Sequence, residues 1–178
     1  MISEYLFTSQ RLGFREWKPS DIPLMAAINA DSRVMEFFPS VQSAQQTSAF
    51  VLRNQQLFAE SGYCYFAVDL LDTNEFIGFI GLSRVTFEAD FTPCIDIGWR
   101  LAFKFWNQGY ATEGAMRCLD YAISDLKISS LFAIAPAINE KSINIMKKLG
   151  MNECKDFIHP LLLDFDNLKL CKLFSYSR

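Results

Sequence analysis

The sequence predicts an α/β (α+β) fold in which antiparallel hairpins lead into a β–loop–α–β crossover. Two strand-like runs, 63–70 and 75–85, are joined by the turn residues Asp72-Thr73-Asn74 and read as a hairpin. The strand-like run Ile95–Leu101 passes through a short glycine-containing loop straight into a helix-like run that extends to Leu126. Leu131-Phe132-Ala133-Ile134-Ala135 is then continuously apolar, as expected of a short, central and buried strand.

The elements follow in order. Leu12-Gly13-Phe14-Arg15-Glu16-Trp17 alternates as a first strand should. Ser20-Asp21-Ile22-Pro23 offers a capping residue and a first-turn proline, opening a helix that ends near Asn29. A second short helix is expected over Ser32–Phe37. Ser43 with Gln46 resembles a capping box for a longer helix ending near Gly62. After the hairpin comes a strand over Pro93–Leu101, then the loop and its helix. That helix carries Ala111, Ala115, Leu119, Ala122 and Leu126 at helical spacing, so one face packs on a sheet. Asn139 caps a last helix that stops at Leu149-Gly150, and Met151–Asp156 and Leu168–Tyr176 read as closing strands. No repeat, low-complexity tract or linker divides the chain, which is read as one domain over residues 1–178.

Composition narrows the function classes. Half of the 178 residues are hydrophobic, and 17 Phe with 3 Trp supply the bulk of a core. A net charge of −3 argues against a nucleic-acid surface built on phosphate neutralisation. No apolar run approaches the ~18–20 residues that span a bilayer, and Met1-Ile2-Ser3-Glu4-Tyr5 lacks the basic and apolar regions of a signal peptide. Cys64, Cys94, Cys118, Cys154 and Cys171 are scattered and odd in number. They are expected to be small reduced core residues of a cytoplasmic protein, not zinc ligands or a disulfide framework. With His159 alone, no histidine metal cluster can form, and no metal is expected.

The most informative segment is Phe105-Trp106-Asn107-Gln108-Gly109-Tyr110-Ala111-Thr112-Glu113. A loop opening into a helix leaves backbone N–H groups unpaired at the positive end of the helix dipole, which suits a phosphate or another anion. Gly109 accommodates unusual backbone angles and lets a ligand approach. Read alone, the loop suggests a phosphorylated ligand without saying which, and it is equally an ordinary strand–helix turn.

This loop resembles the acyl-CoA pyrophosphate loop of the GCN5-related N-acetyltransferases, and within them the RimJ/RimL branch. Arg11-Leu12-x-x-Arg15-x-Trp17 followed by Asp21, Glu75-Phe76-Ile77-Gly78-Phe79-Ile80-Gly81, Asp96-Ile97-Gly98-Trp99-x-Leu101, Asn139-x-x-Ser142 and Lys148-Leu149-Gly150-Met151 are similar to that branch's motifs, in the same order. The resemblance implies a mixed, mostly antiparallel sheet of six to seven strands flanked by helices, with acetyl-CoA as co-substrate and an amine as acceptor. It assigns pyrophosphate contacts to the backbone N–H groups of Gln108, Gly109, Tyr110 and Ala111 and to Thr112, and counts Trp106 and Asn107 among the coenzyme-binding residues. It gives the strand Trp99-Arg100-Leu101 the pantetheine arm and the oxyanion donor, and it sets Asn139 and Ser142 beside the bound coenzyme. Asn107 stands where members carry glycine, and asparagine tolerates left-handed backbone better than most residues. Met146 stands where many relatives have a tyrosine acid, which leaves Ser142 as the candidate donor to the departing sulfur. Glu113 would be repelled by phosphate and is read as structural.

Acetyl transfer needs a neutral amine, hence a base, because an alkylammonium loses its proton only at a pKa of about 8 to 10.4. Asp96 is preferred for its position on the strand beside the thioester, although a carboxylate satisfied by its neighbours would look the same. Glu88, in the Val85–Phe91 loop, is second. His159, whose ordinary pKa suits a base, is third. Cys94 has no histidine placed to activate it, so an acyl-cysteine route is rejected. Phe37, Phe38, Tyr63, Tyr65, Phe66 and Phe87 are candidate walls of an acceptor pocket, and Glu36 a candidate attractor of an ammonium group. Direct transfer from acetyl-CoA to a protein N-terminus or a small amine is therefore expected, with a non-catalytic acyl-CoA-binding module as the competing class. The C-terminal strands and the many aromatics suggest a homodimer; neither nucleic acid nor membrane is expected as a partner.

Overall fold

A computed structural model describes residues 4–177. Met1, Ile2, Ser3 and Arg178 lie outside them, and so does most of the expectation drawn from the N-terminus. The strands are β1 (Phe7–Thr8), β2 (Leu12–Arg15), β3 (Tyr65–Leu70), β4 (Phe76–Val85), β5 (Cys94–Leu101), β6 (Ser130–Pro136), β7 (Asn152–Ile158) and β8 (Leu170–Ser177). The helices are α1 (Asp21–Asn29), α2 (Ala44–Ser61), α3 (Tyr110–Ser124) and α4 (Glu140–Lys148). All eight strands form one sheet in the order β1-β2-β3-β4-β5-β6-β8-β7. Every pairing is antiparallel except β5 with β6. The sheet thus has one strand more than the upper expectation: β1 is two residues long and has no periodicity to announce it.

The β3–β4 hairpin, the β5–loop–α3–β6 crossover and the capping box of α2 form as read. Ser43 Oγ accepts from the Gln46 N–H at 3.2 Å, and Gln46 Oε1 accepts from the Ser43 N–H at 2.8 Å. α3 lies against the sheet so closely that a Cβ on Gly114 would stand 2.3 Å from Ile80 Cδ1, which is why a glycine interrupts this amphipathic helix.

Three local expectations are corrected. No helix forms over 32–37: the N–H groups of Val34 and Met35 both bond to Asp31 O, and the chain continues as turns. Six residues cannot offset helix nucleation, and Pro39 drives the residue before it out of helical angles. Ser20 makes no side-chain cap; Asp21 instead accepts from the Lys18 N–H at 2.8 Å. Finally, Cys154 is exposed rather than a core residue. It sits in a bulge where β7 slips register against β8, and its thiol bonds to Ser175 Oγ.

Asp21 also belongs to a buried cluster that ties β2, α1 and β3 together. Arg15 donates through Nη1 and Nη2 to Asp21 (2.7 and 3.0 Å) and through Nε and Nη2 to Asp69 (2.6 and 2.8 Å). Its two carboxylates satisfy the whole guanidinium fork, the condition under which a buried ion pair is tolerated.

Candidate active site

β5 and β6 are in register at a single pair, Asp96 with Phe132. Beyond it they part, and a cleft of about 560 Å³ opens against the C-terminal end of β5. Trp99, Arg100 and Leu101 form one wall, Asn139 and Ser142 at the start of α4 the other, and Trp106, Asn107, Gly109, Tyr110, Ala111 and Thr112 the end where α3 begins. Every residue expected to hold the coenzyme lines this one cleft except Gln108. Its side chain turns back to donate to Lys104 O at 2.8 Å.

The loop owes its shape to two left-handed residues, Asn107 (φ 60°) and Gly109 (φ 82°). Asparagine thus takes the angle that a glycine would otherwise supply. Gly109 precedes the first turn of α3 and no side chain caps that turn, so its N–H groups point to the loop's open side. Lys148 borders both the cleft and a shallower depression on the outer side of the loop, which Arg117 also lines. Unpaired N–H donors flanked by cations fit a ligand bearing several phosphates.

Glu113 does not line the cleft; it borders the shallower depression with Arg117 and Lys148 and holds the loop in place. Its Oε1 accepts from Ser9 Oγ (2.6 Å) and the Arg11 N–H (2.8 Å), and its Oε2 accepts from Arg11 Nε (2.6 Å). Burial raises its pKa, and the bonds from Ser9 and Arg11 more than reverse this, leaving it below the ordinary carboxylate value. Arg11 also donates to Gln108 O at 3.1 Å and covers the Tyr110 ring at 4.3 Å. Sequence reasoning used Arg11 only as part of a motif; nothing local to it announces a partner 102 positions away.

On the other face of β5 the side chains are Asp96, Gly98 and Arg100, by strand alternation. Gly98 leaves room for Tyr65, whose ring would lie 3.0 Å from a Cβ at that position. The Tyr65 hydroxyl donates to Asp96 Oδ2 at 2.5 Å. Burial raises the Asp96 pKa to about 7 against the pull of Tyr65 and of backbone at Ile134. Burial, then Asp96, pushes the Tyr65 phenol well above its usual value, so it stays a donor. Asp96 is not part of the cleft wall; it lies behind Tyr65. The glycine at 98 was the available signal for Tyr65, since an isolated glycine in a strand marks a close approach.

The remaining candidates separate. Glu88 is exposed in the β4–β5 loop, away from the cleft. His159 packs against Phe87 (4.4 Å between centroids), accepts from the Leu161 N–H through Nδ1, and has its pKa lowered by burial. Phe87 belongs to this second aromatic cluster with Phe91 and Phe157, whereas Phe37 and Phe38 line the cleft and Tyr63 and Phe66 are core. Asn139 Oδ1 accepts from the Ser142 N–H at 3.1 Å, so the cap and the cleft wall are one structure. Met146 is buried, and it is Ile145 that reaches the cleft. Burial raises the Cys94 thiol to about 11, with Asp96 adding to it, which leaves no thiolate for covalent catalysis at neutral pH. Among the described residues no group of His, Cys, Asp and Glu could hold a metal ion, and no helix is long and apolar enough to cross a membrane.

A splayed sheet with a loop of uncapped N–H groups at its mouth has the shape to receive an extended phosphorylated co-substrate. Comparison with known proteins names the class. The family model described as acetyltransferase (GNAT) domain matches residues 11–152. An uncharacterised N-acetyltransferase of Bacillus subtilis (strain 168), YnaD, is 31% identical over 145 residues, covering 81% of each chain. Among solved structures, a GNAT-family acetyltransferase from Bacillus anthracis superposes with a TM-score of 0.80 at 24% identity over 96% of both chains. RimL, a ribosomal L7/L12 alpha-N-protein acetyltransferase solved with coenzyme A, does so with 0.78 at 17% identity over 98% of both. At these identities the two structures speak to the fold. The chain belongs to the acetyltransferase (GNAT) family and is an acetyl-CoA-dependent N-acetyltransferase.

Proposed function

We propose that the enzyme transfers the acetyl group directly from acetyl-CoA to a primary amine within a ternary complex. The observation that carries this reading is the convergence, on one cleft, of the left-handed loop, the unpaired end of β5 and the Asn139–Ser142 turn. The N–H groups of Gly109, Tyr110, Ala111 and Thr112 hold the pyrophosphate. The free edge of β5 at Trp99–Leu101 aligns the pantetheine and donates to the developing oxyanion. The amine nitrogen forms the new bond to the acetyl carbon and the carbon–sulfur bond breaks. Asp96 takes the amine proton through water, and the Ser142 hydroxyl donates a hydrogen bond to the departing sulfur. The sulfur leaves as the thiol by taking up a proton from solvent while Asp96 returns its own. Tyr65 positions Asp96. Much of the rate comes from approximation, worth roughly 7–11 kcal/mol for well-placed reactants.

The motif order and the likeness to RimL support a place in the RimJ/RimL branch, and the scattered free cysteines support a cytoplasmic enzyme. Exposed Leu161, Leu163 and Phe165, between β7 and β8, support a homodimer, which sedimentation at several concentrations tests. The reaction is tested by thiol release from acetyl-CoA across a panel of amines and peptides. Turnover with at least one amine is expected, and donor binding without turnover on any would leave only an acyl-CoA-binding module.

A further inference from the structure

Two arginines reach the acceptor face of the sheet, Arg15 buried and Arg100 half-buried with its Nε fully enclosed, and they are treated in opposite ways. Arg15 meets two aspartates. Arg100, on β5, meets none among the described residues: its Nη1 donates to the neutral Asn29 Oδ1 at 2.7 Å, and its buried Nε has no partner. Phe38 covers the guanidinium at 4.2 Å and Phe79 lies 5.4 Å from it, so the group is held between two rings. Burial lowers its pKa to about 10, which leaves it a cation at neutral pH with no anion beside it. A desolvated donor without an acceptor is costly, and such groups persist where a ligand completes them. Asn29 marks a second vacancy of opposite kind. Its carbonyl accepts from the Gln42 N–H at 3.0 Å, and Gln42 Oε1 is a buried acceptor without a donor.

Resting on the acetyl-transfer reading above, we propose that the acceptor is an amino-carboxylate, an amine whose molecule also carries a carboxylate, and that Arg100 is the specificity-determining residue that binds this carboxylate. Arg100 lines the same cleft as the loop and Ser142, so an anion held there presents its amine toward the thioester end of β5. With Nη1 committed to Asn29, the open edge of the fork is Nε with Nη2, which matches the two oxygens of a carboxylate side by side. The exposed Phe38 ring is the part that must shift to admit it. A polyamine, carrying only cations, is opposed by Arg100.

The test compares kcat/KM across a set of α-amino acids, each against its carboxamide and its decarboxylated amine, with spermidine as a carboxylate-free control. Wild type is expected to prefer the acids by about 10- to 150-fold, the range for one hydrogen-bonded charge. In Arg100→Met the ratio falls to near one, and Arg100→Lys, which keeps the charge without the fork, lies between, with the change residing in the acceptor KM. Equal use of acids and amides by wild type overturns the proposal, as it would if one internal water simply joined Arg100 to Gln42. A loss confined to acetyl-CoA affinity also overturns it, because the anion would then be the donor's. If no amine is acetylated, the transfer reading fails by itself. The carboxylate site is then judged by titrating N-acetyl amino acids into the CoA-saturated protein: binding that Arg100→Met abolishes supports it, and no binding overturns it.

Discussion

The two faces of β5 solve different problems with different materials. In the proposed mechanism the work on the donor face falls to main chain: loop N–H groups, a free strand edge and a capped helix start. On the acceptor face it falls to side chains that arrive from distant segments, Tyr65 onto Asp96 and Asn29 onto Arg100. Main-chain sites tolerate substitution as long as backbone angles survive, as Asn107 at φ 60° illustrates. Side-chain sites fail when one atom is lost. The donor face should therefore be sensitive to shape and the acceptor face to chemistry.

The strongest test of that contrast is Asp96→Asn, which preserves shape and removes the proposed base. Turnover should slow by roughly two to four orders of magnitude, the usual share of general-base catalysis, with acetyl-CoA affinity intact. In wild type the turnover rate should rise as pH passes about 7, and this limb should vanish in the variant; an unchanged pH–rate profile would remove Asp96 from the mechanism. Stability runs the other way. From its ordinary 3.8 to about 7, the folded protein keeps a proton on Asp96 that the unfolded chain has released, so stability falls as pH rises through that window. Denaturant titrations of Asp96→Asn should lack this fall.

On the donor face the corresponding change is one of shape. Gly109→Val forces a β-branched residue to φ 82°, and acetyl-CoA binding should weaken by about 100-fold by calorimetry, the upper end of such backbone strain. Undiminished affinity would refute the loop assignment. Glu113→Ala, at a side chain outside the cleft, removes the tie to Ser9 and Arg11. About 2 kcal/mol of stability should be lost in urea, since the bonds are to a charged group, with a smaller loss of donor affinity. The mildest change is Asn107→Gly. Because asparagine already adopts the required angle, acetyl-CoA affinity should stay within about twofold; a large gain would show that the loop is strained.

The same division explains what could be read in advance. Strand alternation, the Ser43–Gln46 box and the loop–helix junction are local patterns, and they located most of the sheet and the loop; the strand Trp99–Leu101, Asn139 and Ser142 were set beside the coenzyme by the family resemblance. Asn139-x-x-Ser142 announced its own cap because the partners are three residues apart. Tyr65 and Asp96 are 31 apart, and Arg100 and Asn29 are 71 apart. Their meeting depends on strand register and on how α1 ends, which no periodicity encodes. The helix expected over 32–37 failed for a related reason: its apolar residues are buried by tertiary packing of Val34 and Met35, not by a helical stripe.

The clasp of Ser9 and Arg11 on Glu113 makes the first hairpin and the phosphate loop a single mechanical unit. Whatever stills the loop must also still β1 and β2, which lie outside the cleft. Amide hydrogens of residues 7–15 should therefore exchange more slowly once acetyl-CoA is bound, and Glu113→Ala should sever that response while leaving the slowing at Gly109–Thr112. The beginning of the chain would then report occupancy of a pocket it never touches.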